Sequence, residues 1–253
     1  DGPVLMLAGA GTGKTKALTT RIAHLLLTGK ARSDEILAVT FTNKAAREMK
    51  ERVIELVGQQ GQHVMISTFH SACARWLRRF APRVGLGHNF SIYDSTDQRE
   101  LIQQAAKQCG MAWDRAACRE LQGDVEKLVN AATTLHEVQT ATRSDGDERF
   151  ADFYDAYLQA LKRANGVDFG HLITHVVHAL EGDEFLRRSF RERYRWLFVD
   201  EFQDTNVAQY RLLKVLSGPR GNVTAVGDDD QSIYGWRGAS VANMRRFLEE
   251  FHE

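Results

Sequence analysis

The sequence has 253 residues, 43% apolar and 26% charged, which is ordinary for a folded globular protein and excludes a long disordered chain. Its 33 basic and 33 acidic residues cancel, so bulk charge favours neither a nucleic acid nor a membrane as partner, and a nucleic-acid site would be local. No apolar run approaches the roughly 18 residues that span a bilayer, and no signal peptide opens the chain. Cys73, Cys109 and Cys118 lack the spacing of a zinc clip. We expect a cytoplasmic protein with free thiols and no membrane contact.

Five short apolar runs predict buried parallel strands, because each run is continuous rather than alternating, as when helices cover both faces of a sheet. The runs are Val4–Ala8, Ile36–Val39, Val64–Ser67, Trp196–Val199 and Val223–Val226. A helical apolar stripe that ends at a glycine follows each of the first two runs. The stripes are Leu18, Ile22, Leu25 and Leu26 before Gly29, and Met49, Val53, Leu56 and Val57 before Gly58. This alternation predicts an open α/β sheet.

The middle of the chain differs, because residues 91–165 show helical periodicity and no convincing buried strand. Ser95-Thr96-Asp97-Gln98 predicts a capping box that opens a helix, and the polar segment Thr142–Glu148 predicts a loop. A second helical stripe comprises Phe153, Tyr154, Tyr157, Leu158 and Leu161. We therefore predict an all-helical subdomain, residues 91–165, inserted into an α/β domain that is formed by residues 1–90 and 166–253.

A Walker A loop follows the first strand, in the context that this motif requires: a buried strand, a glycine-rich turn and a helix start. The loop comprises Ala8, Gly9, Ala10, Gly11, Thr12, Gly13, Lys14 and Thr15, with Ala8 where the first glycine usually stands. Its glycines let backbone N–H groups surround phosphates, while Lys14 supplies a positive charge to the β- and γ-phosphates. The hydroxyl of Thr15 can bind Mg²⁺. A glycine-rich turn without a ligand is the structural alternative.

Two adjacent carboxylates, Asp200 and Glu201, come at the carboxyl end of the fourth predicted strand. Ligands bind at this end of the strands in open α/β sheets. Asp200 is expected to hold the Mg²⁺ of Mg-ATP, through water, and Glu201 to act as the base that polarises the attacking water. A solvated acidic pair is the alternative, which the Walker A loop makes less favourable.

Five motifs in order carry a resemblance to a known family. The Walker A loop is followed by Thr40–Ala46 and Ser67–Ser71, then by Asp-Glu-Phe-Gln-Asp-Thr-Asn from Asp200 and by Val-Gly-Asp-Asp-Asp-Gln-Ser-Ile-Tyr-Gly-Trp-Arg-Gly-Ala from Val226. These segments resemble motifs Ia, Ib, II and III of the UvrD/Rep/PcrA-type superfamily one helicases. Phe90–Asp94 and Asp168-Phe169 resemble the start and end of that family's helical insertion. The match spans essentially the whole chain, and five long motifs in sequence are highly specific.

The resemblance implies a RecA-like domain of an ATP-dependent DNA helicase and assigns roles to further residues. Phe41, Tyr234 and Trp236 would stack on the bases of single-stranded DNA, and base–aromatic stacking suits an enzyme that moves along any sequence. Thr42, Asn43, Thr68 and His70 would hold backbone phosphates. Gln231 would contact the γ-phosphate and report its presence to the aromatic residues three positions on, which is a hypothesis about coupling. Core packing is the alternative for the aromatic residues.

By the same resemblance, an adenine-reading motif would precede Asp1, and a second RecA-like lobe with its arginines would follow Glu253. We therefore expect the isolated chain to bind ATP, single-stranded DNA and single-strand/duplex junctions, but to hydrolyse ATP feebly. The complete protein would move 3′ to 5′, in DNA repair or replication. A helicase subunit of a RecB/AddA-type helicase–nuclease stays open, as does a binding module without turnover. A GTPase is disfavoured because Ala46 stands where guanine readers carry an aspartate.

Two arginine-rich segments leave two readings open. One follows the motif Ib resemblance and the other precedes the acidic strand end. Either could meet nucleic-acid phosphates, but a solvated or salt-bridged helix face is the favoured interpretation. The arginines are Arg75, Arg78, Arg79 and Arg83, then Arg187, Arg188, Arg191, Arg193 and Arg195.

Overall fold

The computed structural model describes residues 2–9, 13–145, 148–228 and 242–251. The chain divides into two compact units, one formed by Asp1–Ala72 with Leu180–Glu253 and the other by Cys73–Ala179. The second unit contains the segment 91–165 and is longer than it at both ends. The division predicted from the sequence, with domain boundaries near residues 90 and 166, stays a prediction.

Short strands and longer helices alternate along the described part of the chain. The strands are β1 (Val4–Leu7), β2 (Ile36–Thr40), β3 (Met65–Thr68), β4 (Ser91–Tyr93), β5 (Gly166–Asp168), β6 (Trp196–Val199) and β7 (Val223–Gly227). The α-helices are α1 (Lys14–Leu27), α2 (Asn43–Val57), α3 (Phe69–Phe80), α4 (Ser95–Gln108), α5 (Arg115–Ala131), α6 (Leu135–Asp145), α7 (Glu148–Arg163), α8 (His171–Gly182), α9 (Glu184–Arg193), α10 (Val207–Ser217) and α11 (Ala242–Glu250).

The first unit contains a five-stranded parallel sheet with the order β1–β7–β6–β2–β3. β2, β6 and β7 lie inside the sheet, and their described side chains are buried throughout, which explains why the sequence shows continuous apolar runs there. β7 pairs with both β1 and β6, so Leu7 aligns with Gly227 and Val199 aligns with Ala225. The predicted RecA-like α/β class, a parallel sheet flanked by helices, is confirmed.

Helices α1 and α2 close the core beside this sheet, as their apolar stripes predicted. Leu18 and Ile22 of α1 are fully buried, as are Met49 and Val53 of α2, and all four belong to one core cluster. Gly29 and Gly58 have φ of 69° and 68°, values that L side chains rarely adopt, and they follow the last turns of the two helices. The prediction was wrong for one residue of the α2 stripe, because Leu56 is 49% exposed and does not belong to this core cluster.

The second unit is built around α4, α5, α6 and α7, whose apolar side chains form a separate core. Two details differ from the sequence predictions. The described part of the segment predicted as a loop, Thr142–Glu148, is helical: α6 continues to Asp145 and α7 starts at Glu148, and the two residues between them lie outside the described residues. The capping box begins one residue earlier, because the side chain of Asp94 accepts from the N–H groups of Thr96 and Asp97. A parallel ladder of three residue pairs between β4 and β5, which the sequence did not indicate, joins the beginning and end of this helical segment.

Two predictions from composition can be compared with the described residues. Within them, no helix is long and apolar enough to cross a membrane. Cys73, Cys109 and Cys118 are free thiols, as expected, and burial raises the pKa of Cys73 above its ordinary value. A thiol held in the neutral form is a poor nucleophile and a poor metal ligand, so Cys73 acts as a core side chain.

Candidate nucleotide site

The candidate site lies where the carboxyl ends of β1, β7 and β6 are adjacent. The N–H of Ala8 continues the β1–β7 ladder by donating to the carbonyl of Gly227 over 3.1 Å. Gly13 closes the loop with φ of 88° and ψ of 25°, a left-handed conformation that explains the need for glycine directly before α1. Ala10, Gly11 and Thr12 of the predicted loop lie outside the described residues, whereas Ala8, Gly9, Gly13, Lys14 and Thr15 are described.

Thr15 and Asp200, which are both predicted to hold Mg²⁺, are in direct contact. The Thr15 hydroxyl donates to Oδ2 of Asp200 over 3.1 Å, and Asp200 Oδ1 accepts from the N–H of Glu201 over 3.1 Å. Asp200 is only 4% exposed, and burial, followed by the charge of Glu201, raises the pKa of its carboxyl group. The hydrogen bonds from Thr15 and Glu201 and the charge of Lys14 oppose this rise. A nearby cation would therefore stabilise the ionised form of Asp200 further.

The oxygen donors of Thr15 and Asp200 suit Mg²⁺, which prefers hard oxygen ligands and retains several waters. Within the described residues, no group of three or more His, Cys, Asp and Glu side chains could hold a metal ion alone. When a magnesium ion arrives with a nucleotide, phosphate oxygens and waters complete its coordination. The oxygen donors of Thr15 and Asp200 are compatible with the predicted cation.

Lys14 makes an ion pair with Asp228, the residue that follows β7. The distance from Lys14 Nζ to Asp228 Oδ2 is 3.2 Å, and the two side chains are 10% and 3% exposed. The sequence predicts a contact between Lys14 and phosphates and gives Asp228 no role. The motif from Val226 already contained this aspartate, but only the structure shows that it lies beside the loop lysine. The pair keeps the ammonium group at the strand ends.

Glu201 adopts a left-handed conformation, with φ of 51° and ψ of 48°, which is uncommon for a residue with a side chain. Its carbonyl accepts from the N–H of Asp204 in the short 3₁₀ turn Phe202–Asp204. Its carboxylate accepts from Nε2 of Gln203 over 2.7 Å. Strained backbone of this kind concentrates at functional positions and persists only when neighbouring contacts enforce it.

The predicted DNA-binding residues that the structure describes follow two neighbouring strands, β2 and β3, which pair with Thr40 opposite Thr68. Phe41 is partly exposed, and its ring meets the buried Phe69 edge-on with centroids 5.8 Å apart. The alternative of complete core packing therefore does not apply to Phe41, because part of its ring faces solvent. An aromatic ring that is fixed on one side and accessible on the other can stack on a base.

The polar members of this group also serve the local fold. The Thr42 hydroxyl caps α2 by accepting from the N–H of Ala45, and Thr68 caps α3 by accepting from the N–H of Ser71. Asn43 is exposed in the first turn of α2. His70 is half-buried, and burial lowers the pKa of its imidazole to about 4. It is therefore neutral near pH 7 and would meet a phosphate as a hydrogen-bond donor rather than as a cation.

Besides the three loop residues named above, three more predicted site residues lie outside the described part of the chain: Gln231, Tyr234 and Trp236. Their roles at the γ-phosphate and on DNA bases stay predictions. The roles assigned to the described residues are likewise predictions, although the fold places Lys14, Thr15, Asp200 and Glu201 at neighbouring strand ends.

A parallel sheet with a glycine-rich phosphate loop after one strand and an acidic pair after another defines the class of RecA-like P-loop domains. Comparison with known families narrows this class. The family of the UvrD/REP helicase N-terminal domain matches residues 1–252, and the chain belongs to this family. It is 42% identical to the ATP-dependent DNA helicase PcrA of Staphylococcus epidermidis and to that of Staphylococcus aureus, over all 253 of its residues. The chain spans 35% of the length of each of these relatives.

Proposed function

We propose that this chain is the ATP- and DNA-binding N-terminal part of an ATP-dependent DNA helicase that moves along single-stranded DNA. The observation that carries the proposal is the convergence of Lys14, Thr15 and the Asp200 carboxylate at adjacent strand ends, in a chain that belongs to a helicase family. Relatives named as DNA helicases support the substrate class. Since they are about three times as long, helicase activity belongs to the complete protein.

In the proposed reaction, the loop amides and Lys14 hold the β- and γ-phosphates of ATP at the start of α1. Thr15 and Asp200 would hold Mg²⁺, which would offset the charge of the phosphates when bound. Glu201 orients a water for attack on the γ-phosphate and accepts its proton. The left-handed backbone at Glu201, directly after β6, is the kind of strained position that concentrates at functional sites.

The proposed DNA surface comprises Phe41 with the polar groups after β2 and β3, continued by Tyr234 and Trp236. Stacking contributes about 1–3 kcal/mol per base and is independent of sequence, so it suits a motor that must release each base in turn. Polarity of 3′ to 5′, action at single-strand/duplex junctions and a cytoplasmic location are part of the proposal by family resemblance. A second RecA-like lobe of the same protein would supply the arginines that complete the ATPase site.

The test is DNA-stimulated ATP hydrolysis by the full-length protein, with and without single-stranded DNA. Lys14→Ala should abolish hydrolysis because the γ-phosphate loses its fixed positive charge. Lys16→Ala is the matched control, since Lys16 is an exposed lysine two positions along the same helix. The proposal fails if the wild-type protein does not hydrolyse ATP, or if both variants behave alike.

A binding module without turnover is the second candidate for the isolated 253-residue chain, because it lacks about two thirds of the length of its relatives. An arginine supplied by another element is worth on the order of 10³–10⁵ in rate in related phosphoryl transfers. The isolated chain should therefore bind nucleotide and single-stranded DNA but hydrolyse ATP feebly. Turnover by the isolated chain at the rate of the full-length protein would contradict this expectation.

A further inference from the structure

Gln203 is a buried polar residue whose two amide atoms are both engaged at the candidate site. It is 3% exposed and lies in the 3₁₀ turn that follows β6. Its Nε2 donates to Oε2 of Glu201 over 2.7 Å, and its Oε1 accepts from the backbone N–H of Asp228 over 3.0 Å. One side chain thus connects the ends of β6 and β7, two strands that pair directly.

The orientation of this amide follows from its partners. A backbone N–H can only donate, so the amide oxygen of Gln203 must face Asp228, and the NH₂ group must then face Glu201. An ionised carboxylate accepts hydrogen bonds and donates none. Gln203 therefore offers Glu201 a donor in a fixed direction and occupies one of its two oxygens, while Oε1 of Glu201 is left to face other groups.

The packing at Gly227 holds the amide in place. A Cβ atom added to Gly227 would lie 2.8 Å from Oε1 of Gln203 and 3.0 Å from the terminal carbon of Met244. The first distance is shorter than real Cβ contacts and the second is tight, so a side chain at Gly227 would require the Gln203 amide to shift. The hydrogen bond from Gln203 therefore gives the Glu201 carboxylate a defined direction, next to a backbone that is itself left-handed.

We propose that Gln203 is a positioning residue for ATP hydrolysis, which holds the Glu201 carboxylate toward the attacking water and ties it to the end of β7. The inference rests on the proposed function, since it requires Glu201 to act as the base. The same hydrogen-bonded series continues through Asp228 to Lys14. Gln203 therefore links the group that activates water to the strand end that carries the partner of the phosphate-binding lysine.

The test uses the full-length protein and compares two isosteric variants. Gln203→Met removes both hydrogen bonds, whereas Gln203→Glu keeps an acceptor for the Asp228 N–H but places a carboxylate oxygen against Glu201. A hydrogen bond to a charged group is worth enough to expect kcat to fall by about tenfold or more in Gln203→Met, with KM for ATP almost unchanged. The kcat of Gln203→Glu should fall at least as far, because the new carboxylate would lie against the carboxylate of Glu201.

Gln209→Glu is the matched control. Gln209 is also a buried glutamine, 5% exposed, whose side chain accepts from the N–H of Asn206 in the capping box that begins α10. Gln209→Glu introduces the same change of charge as Gln203→Glu. It should retain wild-type kcat, because a carboxylate can make the same capping contact.

A double-mutant comparison separates positioning from a structural role. In a Glu201→Gln background, where the base is absent, Gln203→Met should lower the residual rate by less than about twofold, because effects of residues that act as a unit are not additive. An equal loss in both backgrounds would overturn the inference, as would a wild-type kcat in Gln203→Glu. If neither Gln203 variant folds, as judged by circular dichroism, the amide is structural and the inference fails. A wild-type protein without ATPase activity would instead refute the proposed function.

Discussion

The ion pair between Lys14 and Asp228 leads to a quantitative prediction about stability in the absence of nucleotide. At the observed separation of 3.2 Å, Coulomb attraction at an effective dielectric constant of about 20 amounts to about 5 kcal/mol. The side chains are 10% and 3% exposed, so the loss of hydration offsets most of this attraction. We expect a net coupling free energy of about 1–3 kcal/mol between the two residues, the range found for contacting charged groups.

The perturbation is a double-mutant cycle with Lys14→Met and Asp228→Asn in the 253-residue chain. Each single substitution leaves a charge at the site without its opposite charge, so each should lower the free energy of unfolding. The double variant should lose less than the sum of the two, by the coupling free energy. Urea unfolding read by hydrogen exchange in peptides from β1 and β7 reports on the first unit alone. Lys16→Met combined with Asp228→Asn is the control and should be additive within about 0.5 kcal/mol, because Lys16 is exposed. A coupling below about 0.5 kcal/mol for the Lys14 pair would refute the reasoning.

Four further predictions follow from the described contacts. Gly227→Ala should lower kcat of the full-length protein by about tenfold, since the added Cβ displaces the Gln203 amide; a wild-type rate would contradict the packing argument. Asp94→Ala should destabilise the second unit by about 1 kcal/mol in urea unfolding, because α4 loses its cap, whereas Asp94→Ser should recover most of it. Burial alone would raise the pKa of Asp168, but the charge of His171 and the hydrogen bonds from His171 and Tyr157 lower it below the ordinary value. The stability that Asp168 contributes is therefore present above the ordinary carboxyl pKa and is lost as the pH falls toward the pKa of the folded state. Asp168→Asn should flatten this acid dependence of the stability of the second unit. Arg188→Ala should leave single-strand affinity within about twofold in a titration, because Arg188 pairs with Glu192 on an exposed helix face.

Several arginines of the two arginine-rich segments make contacts within the protein, which the sequence alone could not show. Arg187 donates to the carbonyls of Leu180 and Glu181, and Arg191 donates to the carbonyl of Val215. Arg78 donates to the carbonyls of His88 and Phe90 and covers the Phe90 ring. Guanidinium groups bound to carbonyls in this way hold neighbouring segments together, whereas the sequence favoured a solvated or salt-bridged helix face, which Arg188 shows in its pair with Glu192.

The sheet could be predicted from sequence because its physical signal is local. A strand such as β6 is buried on both faces and reads as an uninterrupted apolar run, and its acidic end follows directly in the chain. The prediction of a loop at Thr142–Glu148 was wrong for the described residues, because polar side chains were interpreted as a sign of irregular backbone. In the structure, Thr142 and Ser144 return hydrogen bonds to carbonyls one turn earlier, so polar side chains continue α6.

Gln203 and Asp228 could not be assigned from sequence, because their importance depends on which strand ends are neighbours. They are 25 residues apart in the chain and meet only because β7 lies between β1 and β6. Residues predicted to bind a ligand, such as Lys14 and Asp200, stand in motifs that can be recognised from their spacing in the sequence. Residues that contact each other across the sheet cannot be recognised in this way, since their contact depends on the order of the strands.

The position of β7 explains how a phosphate and a base could be sensed together. Asp228 contacts the loop lysine through its carboxylate and the turn after β6 through its backbone, so both halves of the candidate ATP site meet at one residue. Phosphates that attract Lys14 would weaken its pair with Asp228 and leave the Gln203 contact in place. The chain continues from Asp228 into the segment that carries Gln231, Tyr234 and Trp236, the predicted γ-phosphate and base contacts. Asp228, whose ion pair would change, therefore stands three positions before Gln231, the glutamine on which the predicted coupling depends.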